Sequence, residues 1–255
     1  MQAQSKHISE DLSGSASVTQ LLSDATLDLE KNITFQIFDI LRELIVSVRL
    51  RPGQRLSEKE IAAALKASKT PVREAMIRLD EIRLVKIVPQ SGTYVTKISI
   101  NRYRTACFIR LHLEIGAVRN AASGIALQVG LQELETLLSR QTEALASEDY
   151  ERFFDLDEAF HRQLFVMAGY VDAWTTARRT QFDVNRARHI RRLNRILRVP
   201  TVLEEHRAIA EAIRAGDPER AEAALRTHIG DLDHQISLLV RDERMLGFIE
   251  MPEPT

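Results

Sequence analysis

The sequence predicts a mainly α-helical protein with two domains. Apolar residues recur at the 3.6-residue spacing of a helix over most of the 255 residues, whereas residues 84–97 contain two short strand-like runs around a turn. The charge balance also changes along the chain. Residues 31–98 carry 13 Lys and Arg against 7 Asp and Glu, and residues 99–255 carry 21 against 24. We therefore expect a basic domain over 31–98 and a mildly acidic helical domain over 99–244, followed by a tail at 245–255.

The chain should begin with a mobile arm. Residues 1–30 are rich in Ser, Gln, Ala and Asp and offer little that could form a core, although a helical part is expected near Leu21 to Leu29. From Ile33 to Val48 the apolar residues follow a helical spacing. The turn Arg51-Pro52-Gly53 then stops this helix.

Two further helices follow closely. Ser57 and Glu60 have the spacing of a capping box, in which each side chain bonds the other residue's backbone amide. The helix that they begin should run to about Leu65. After a turn of three residues, either Ser68 or Thr70 can cap the next helix. That helix would turn three basic side chains outward: Lys69, Arg73 and Arg78.

A hairpin completes the first domain. Strands are expected at Leu84 to Val88 and at Thr93 to Lys97, and Pro89-Gln90-Ser91-Gly92 between them has the length and composition of a hairpin turn. Three helices, the last two joined by a tight turn, and then a hairpin describe a winged helix-turn-helix.

The second domain is predicted to be helical throughout. Breaks in the apolar pattern divide it into about six helices, and they fall at Gly124 to Gly130, Ser147, Gly169, Val199-Pro200 and Gly216-Asp217-Pro218.

Four polar residues of this domain occupy positions where the helical pattern calls for apolar ones: Asp157, His161, His206 and His228. They should all point into one core. An unpaired buried carboxylate costs on the order of several kcal/mol or becomes neutral, so a cation is expected among them. Three neutral imidazoles and one carboxylate suit zinc, nickel or manganese. The alternative is that each histidine is an ordinary core residue bonded to a neighbouring carbonyl group.

Composition restricts the compartment and the partners. Cys107 is the single cysteine, which excludes a disulfide within one chain, and there is neither a signal peptide nor an apolar run of about 18 residues. We therefore expect a cytoplasmic protein that does not enter a membrane. The basic balance of residues 31–98 favours a polyanionic partner for the first domain alone.

Leu41 to Val95 contains the segments RPGQRLSEKEIA, SKTPVREA and VPQSGTYV. With these segments it resembles the DNA-binding domain of GntR-type bacterial transcription regulators. The resemblance implies that six residues contact double-stranded DNA: Arg49, Lys59, Lys69, Thr70, Arg73 and Gly92. The hairpin tip around Gly92 would enter the minor groove. Arg73 could donate two hydrogen bonds to one guanine in the major groove.

The chain departs from the family pattern at three places. Lys69 stands where Arg is usual, and Ile82-Arg83 stands where an acidic residue and Gly are usual. Lys66 occupies the place of a turn glycine, so it must adopt a left-handed conformation or the turn must differ slightly.

Residues 99–244 resemble the FCD effector-binding domain of the FadR-like branch, through Asp157-x3-His161, the segment from Glu205 to Asp217 and His228. The resemblance implies one divalent metal ion per chain, zinc before nickel or manganese, held by the four polar residues named above. A small carboxylate metabolite or water would complete the coordination.

Arg110 matches the arginine of the family's R-x3-E pattern and is the expected clamp for the carboxylate. An internal ion pair between Arg110 and Glu114 is the alternative. Asn185 and Arg188 are further candidates for effector binding, in a region too basic to single out residues.

Together these features predict a homodimeric, metal-containing transcription regulator, in this family most often a repressor. A two-fold dimer would bind a palindromic operator, and a carboxylate metabolite would change its affinity for DNA. No catalytic residue is expected. One alternative is a metal-dependent hydrolase, but Glu158 and Glu205, next to the ligands, should point away from the ligand face. The other is a regulator with a purely structural metal.

Overall fold

The structure is a computed structural model that describes residues 16–124, 127–193, 199–230, 232–241 and 243–251. Residues 1–15 of the predicted arm lie outside the described residues. The chain divides into two compact units. The first contains the residues up to Ile98 together with Asn185–Arg195, and the second contains Ser99–Val184 and the residues from Ile196 onward. Within the described ranges, no helix is both long enough and apolar enough to cross a membrane.

The predicted helices and hairpin of the first unit are present. Up to residue 95 the elements are α1 (Val18–Leu21), α2 (Ile33–Val46), β1 (Arg55–Leu56), α3 (Glu58–Ala64), α4 (Lys69–Glu81), β2 (Val85–Val88) and β3 (Gly92–Val95). The three strands form an antiparallel sheet in the order β1-β3-β2, with Val85 opposite Val95 and Arg55 opposite Tyr94. β1 was not predicted, because two residues are too few to show an alternating pattern.

Helices α2 and α4 pack on each other through fully buried side chains of Ile37, Leu41, Val72 and Met76. Burying side chains of this size contributes roughly 1.5–3 kcal/mol each. This packing fixes the position of α4, whose opposite face carries the exposed basic side chains predicted from the sequence.

The turns of the first unit show how the chain replaces the family's glycines. The Ser57 hydroxyl accepts the Glu60 amide at 3.3 Å and begins α3, whereas Ser68 occupies the cap position of α4 without a side-chain capping bond. Lys66 has a φ of 52° and Arg83 a φ of 59°. Both residues therefore adopt the left-handed conformation that glycine accepts more readily.

The helix of the N-terminal arm lies earlier than the predicted residues 21–29. A capping box between Ser17 and Gln20 fixes its start, and α1 ends at Leu21. Val18 and Leu22 are buried, and α1 packs against α3. Two residues of the predicted arm thus contribute to the core of this unit, while most of residues 23–30 are exposed.

The rest of the described chain confirms the mainly helical class. Its elements are β4 (Ile98–Ser99), α5 (Ile100–Ser123), α6 (Leu127–Ala146), α7 (Tyr150–Ala168), α8 (Val171–Thr180), α9 (Phe182–Leu193), α10 (Val199–Arg214), α11 (Pro218–Ile229), α12 (Leu232–Arg241), α13 (Glu243–Leu246) and β5 (Ile249–Glu250). Nine helices appear in these ranges where the sequence breaks predict about six. The added breaks include Gln181, which ends α8 without a glycine or proline signal, and Gly230, whose φ of 76° ends α11.

Helices α5, α7, α10 and α11 pack together and share one core. Gly169, with a φ of 79°, ends α7 in a left-handed cap. Asp217 begins α11 by accepting the Arg220 amide at 2.9 Å, and Pro218 occupies the first turn.

The predicted C-terminal tail contains packed residues. Met245 and Ile249 are buried, and Ile249–Glu250 forms β5. Residues 252–255 lie outside the described residues.

Candidate functional site

Asp157, His161, His206 and His228 come together in the core of the second unit, and we call them the His/Asp cluster. α7 supplies the first two, α10 the third and α11 the fourth. All four are buried, and one ligand atom from each lies within 4.8 Å of the others. The Nε2 atoms of His161 and His228 are 3.1 Å apart. The Oδ1 atom of Asp157 is 3.5 Å from His206 Nε2 and 3.9 Å from His161 Nε2.

These separations fit a divalent metal ion. Metal–nitrogen bonds of about 2.1 Å place neighbouring ligand atoms about 3 Å apart and opposite ones about 4.2 Å apart. The three separations given above, from 3.1 to 3.9 Å, lie within that range. Imidazole nitrogen with carboxylate oxygen is a donor set that zinc, nickel and manganese accept.

The helical repeat and one aromatic side chain position the ligands. Asp157 and His161 are four residues apart on α7, which puts them on the same face one turn apart. Phe160, between them in sequence, stacks on the His206 ring with centroids 4.1 Å apart and planes at 12°. The stacking holds the ring of α10 against the ligand face of α7.

A second nitrogen of each histidine faces an oxygen from another helix, and we call these three partners the backing side chains: Glu114 on α5, Gln141 on α6 and Glu205 on α10. His161 Nδ1 lies 2.8 Å from Glu114 Oε2. His206 Nδ1 lies 3.1 Å from Gln141 Oε1. His228 Nδ1 lies 3.0 Å from Glu205 Oε2.

Glu205 points away from the ligand face of its own helix, as expected, yet it contacts a ligand of the next helix. Glu205 does leave the face that carries His206, but α11 packs beside α10 and brings the outer nitrogen of His228 to it. Glu158 does point outward, where its Oε2 lies 2.9 Å from Arg178.

Arg110 lies at the same centre. It is only 5% exposed, its Nε donates to Glu114 Oε1 at 2.7 Å, and one terminal nitrogen lies 2.6 Å from His161 Nε2. The ion pair with Glu114 that the sequence offered as an alternative is thus present. It does not exclude the proposed clamp, because Glu114 holds Nε while one terminal nitrogen stays directed at the cluster.

Burial and charge act strongly on this group of side chains. Burial, and next the positive charge of Arg110, hold the pKa of His161 well below its usual range. Burial acts to lower the pKa of Arg110, but the carboxylates of Glu114 and Asp157 outweigh it and raise that pKa. His161 is therefore a neutral imidazole, the form that binds metal, beside a permanent cation.

The predicted DNA-contacting residues lie in the first unit. Those exposed to solvent are Arg49, Lys59, Lys69, Thr70 and Arg73. Lys69 and Thr70 stand in the first turn of α4. Gly92 is half-buried at the hairpin. Its φ of 132° favours glycine, and a side chain at this position would also meet Arg55 at 2.9 Å.

The arginine-rich helix α9 contains one buried member that the sequence did not single out. Arg186 is fully buried and donates to the carbonyl oxygen of Thr96 and, at 3.3 Å, to its Oγ1. A run of arginines looks like a solvated surface, so no sequence signal identified this one. Asn185 and Arg188 are half-buried on the same helix, and their role in effector binding stays a prediction.

Two family models match this chain. Residues 34–95 match "Bacterial regulatory proteins, gntR family", and residues 106–231 match the FCD domain. The transcriptional repressor RspR of Escherichia coli K12 is 33% identical over 227 residues, which cover 89% of this chain and 98% of RspR.

Two solved structures have the same fold. A GntR transcriptional regulator from Rhodococcus sp. RHA1 aligns with a TM-score of 0.66 and 28% identity, over 81% of this chain and 98% of that one. McbR/YncC of E. coli also aligns with a TM-score of 0.66, at 23% identity over 83% of this chain and 98% of its own length.

The matched domains and relatives are those of DNA-binding regulators rather than enzymes, so the hydrolase alternative is set aside. The chain belongs to the GntR family of bacterial transcriptional regulators and carries an FCD domain C-terminal to its DNA-binding domain in the sequence.

Proposed function

We propose that this regulator is a repressor whose affinity for its operator is set by a small carboxylate metabolite, bound at a divalent metal ion in the FCD domain. The observation that carries the proposal is the buried His/Asp cluster with the Arg110 guanidinium directed at it. The name of the relative RspR supports repression as the direction of control.

The His/Asp cluster would hold the ion. Zinc is the first candidate, and nickel or manganese would accept the same four donors. Bound there, the ion would supply a Lewis-acidic position for an anionic oxygen. Because His161 Nε2 and His228 Nε2 approach to 3.1 Å, a cation between them also offsets the repulsion of their lone pairs.

Arg110 would recognise the carboxylate. Its Nε is fixed by Glu114, so its terminal N–H groups are directed without a further loss of side-chain freedom. A charge-assisted hydrogen bond from a preorganised guanidinium is roughly twice as strong as a neutral one. Asn185 and Arg188 are secondary candidates for this contact.

The exposed basic residues of the first unit would bind DNA. Lys59 would contact phosphate, and the first turn of α4, whose cap residue makes no side-chain capping bond, offers backbone N–H groups to phosphate. Arg73 would read a guanine in the major groove. Two copies related by a two-fold axis would read a palindromic operator, which one winged helix cannot do alone.

A thermal-shift screen tests this proposal. Metal-loaded and chelator-treated protein would each be mixed with small mono- and dicarboxylates, because a ligand that binds only the folded state raises the melting temperature. We expect carboxylates to act only on the metal-loaded protein, with His206→Ala as the unresponsive control. A metal that stabilises the protein without any carboxylate response would support a purely structural ion. Failure of the protein to retain zinc, nickel or manganese would overturn the proposal.

A further inference from the structure

We propose that Glu114, Gln141 and Glu205 are positioning residues that hold the three imidazoles in the tautomer presenting Nε2 to the metal, and that they set the metal affinity. The inference rests on the proposed metal site and adds three residues to it. None of the three is adjacent to the ion in the proposed coordination, so each would act through the histidine that it faces.

The geometry of the three pairs has one pattern. In each pair Nδ1 lies 2.8 to 3.1 Å from a side-chain oxygen, while Nε2 is the nitrogen within the His/Asp cluster. The His206 and His228 pairs are hydrogen-bonding contacts, whereas Glu114 approaches His161 without that alignment. Each oxygen comes from a different helix than the ring that it faces: α5 for His161, α6 for His206 and α10 for His228. Three helices thus converge on the outer edges of the ligands.

The chemistry of the two carboxylates favours one tautomer of their rings. A neutral imidazole has one N–H and one lone pair, and an ionised carboxylate can only accept a hydrogen bond. His228, whose Nδ1 makes a hydrogen-bonding contact with Glu205, must therefore carry a proton there, which leaves the lone pair of Nε2 for the metal. Glu114 Oε2 lies 2.8 Å from His161 Nδ1 without the alignment of a hydrogen bond, so its charge favours the same tautomer less strictly. Partners of this kind also strengthen the ligand, and their loss typically reduces metal affinity by about 10–100-fold.

Arg110 gives an independent reason for the same tautomer at His161. A guanidinium has N–H donors and no acceptor. Its terminal nitrogen lies 2.6 Å from His161 Nε2, so that atom must be an acceptor. The Arg110 contact thus requires the proton of His161 on Nδ1, and the nearby Glu114 carboxylate favours it there.

Gln141 should act more weakly than the two glutamates. Its amide is uncharged and has both a donor and an acceptor, so it can serve either tautomer of His206. We therefore expect His206 to be the least constrained of the three rings. Gln141→Glu should tighten metal binding by converting an amide partner into a carboxylate.

Glu205 offers the sharpest test, because its side chain is 12% exposed whereas that of Glu114 is fully buried beside Arg110. Glu158→Ala is the matched control, since Glu158 also adjoins a ligand in sequence but points outward to Arg178. Zinc affinity of the full chain would be measured by competition with a chromophoric chelator. The tautomers would be read from the ring ¹⁵N signals of the metal-free protein.

We expect Glu205→Ala to lose about 10–100-fold in zinc affinity, Glu205→Gln to lose less, and Glu158→Ala to match the wild type. In the metal-free wild type, Glu205 should hold a proton of His228 on Nδ1 against the competing contact of its Nε2 with His161 Nε2 at 3.1 Å. In Glu205→Ala that proton should shift to Nε2, with His161 unchanged. If the wild type binds zinc and the zinc affinity of Glu205→Ala is within twofold of the wild-type value, this inference is overturned and the proposed function stays intact. A wild-type His228 protonated on Nε2 would overturn it even if Glu205→Ala does not fold. Absence of zinc binding by the wild type would instead refute the proposed function.

Discussion

Replacing Arg110 by methionine tests whether the centre depends on its buried ion pair. Arg110 is 5% and Glu114 0% exposed, and their charged atoms lie 2.7 Å apart. Removing one partner of a buried pair costs about 3–5 kcal/mol, because the other charge stays buried without compensation. Glu114 Oε2 lies 2.8 Å from His161 Nδ1 without the alignment of a hydrogen bond, so we expect the full loss of about 3–5 kcal/mol.

The double variant Arg110→Met/Glu114→Gln should recover more than half of that loss, since it leaves no unpaired charge. Trp174, the single tryptophan, is buried in the FCD domain, so its fluorescence during denaturant unfolding of the metal-free protein reports this domain. Arg214→Met, in the same domain, is the control. Its partner Glu135 is 2.6 Å away, but both side chains are about half exposed, and such pairs contribute below about 1 kcal/mol. A loss for Arg110→Met no larger than this control, or no recovery in the double variant, would refute the reasoning.

Three further predictions follow from other parts of the molecule. Arg73→Ala should reduce the binding free energy by about 1–3 kcal/mol at one operator base pair, whereas Lys59→Ala should weaken binding to all DNA sequences alike. Anisotropy titrations would test this. Equal losses of affinity for operator and random DNA in Arg73→Ala would show that Arg73 only contacts phosphate. Burial and the charge of Arg110 hold the pKa of His161 well below its usual value of about 6.5. As the pH falls, His161 therefore becomes protonated in the unfolded chain before it does so in the folded protein. The metal-free protein should thus keep its stability above about pH 6.5 and lose it as the pH falls through the folded-state pKa, and a flat unfolding profile between pH 8 and 5 would contradict this. Lys66→Gly should raise stability by roughly 0.5–1 kcal/mol, since relief of the left-handed conformation exceeds the added chain entropy. Glu133→Gly, at an exposed position inside α6, should instead lower it by about 1 kcal/mol, and calorimetric shifts of the same sign for the two variants would oppose this.

Features that depend on one helix could be predicted from the sequence. The four-residue spacing of Asp157 and His161 puts both on one face whatever surrounds them. Lys66 in place of glycine predicted a left-handed residue, and its φ of 52° confirms that alternative. His206 and His228 were recognised because they interrupt apolar stripes, which is again a property of single helices.

Features that depend on packing between helices were missed. Glu205 meets His228 only because α10 and α11 lie side by side, and the spacing of 23 residues between them carries no periodic signal. Gln141 likewise reaches His206 from a helix 65 residues earlier in the chain. The buried state of Arg186 depends on Thr96, which is 90 residues away.

The central claim is that a carboxylate bound in the FCD domain changes the affinity of this regulator for its operator. The most direct measurement compares the affinity of the metal-loaded wild type for a carboxylate from the thermal-shift screen, free and bound to operator. Linkage requires the carboxylate to change operator affinity by the same factor as the operator changes carboxylate affinity. We predict that the two factors are equal and differ from one, and that both become one when the metal is removed. A carboxylate that binds free and operator-bound protein equally well would contradict the account, even with the fold and the metal site in place.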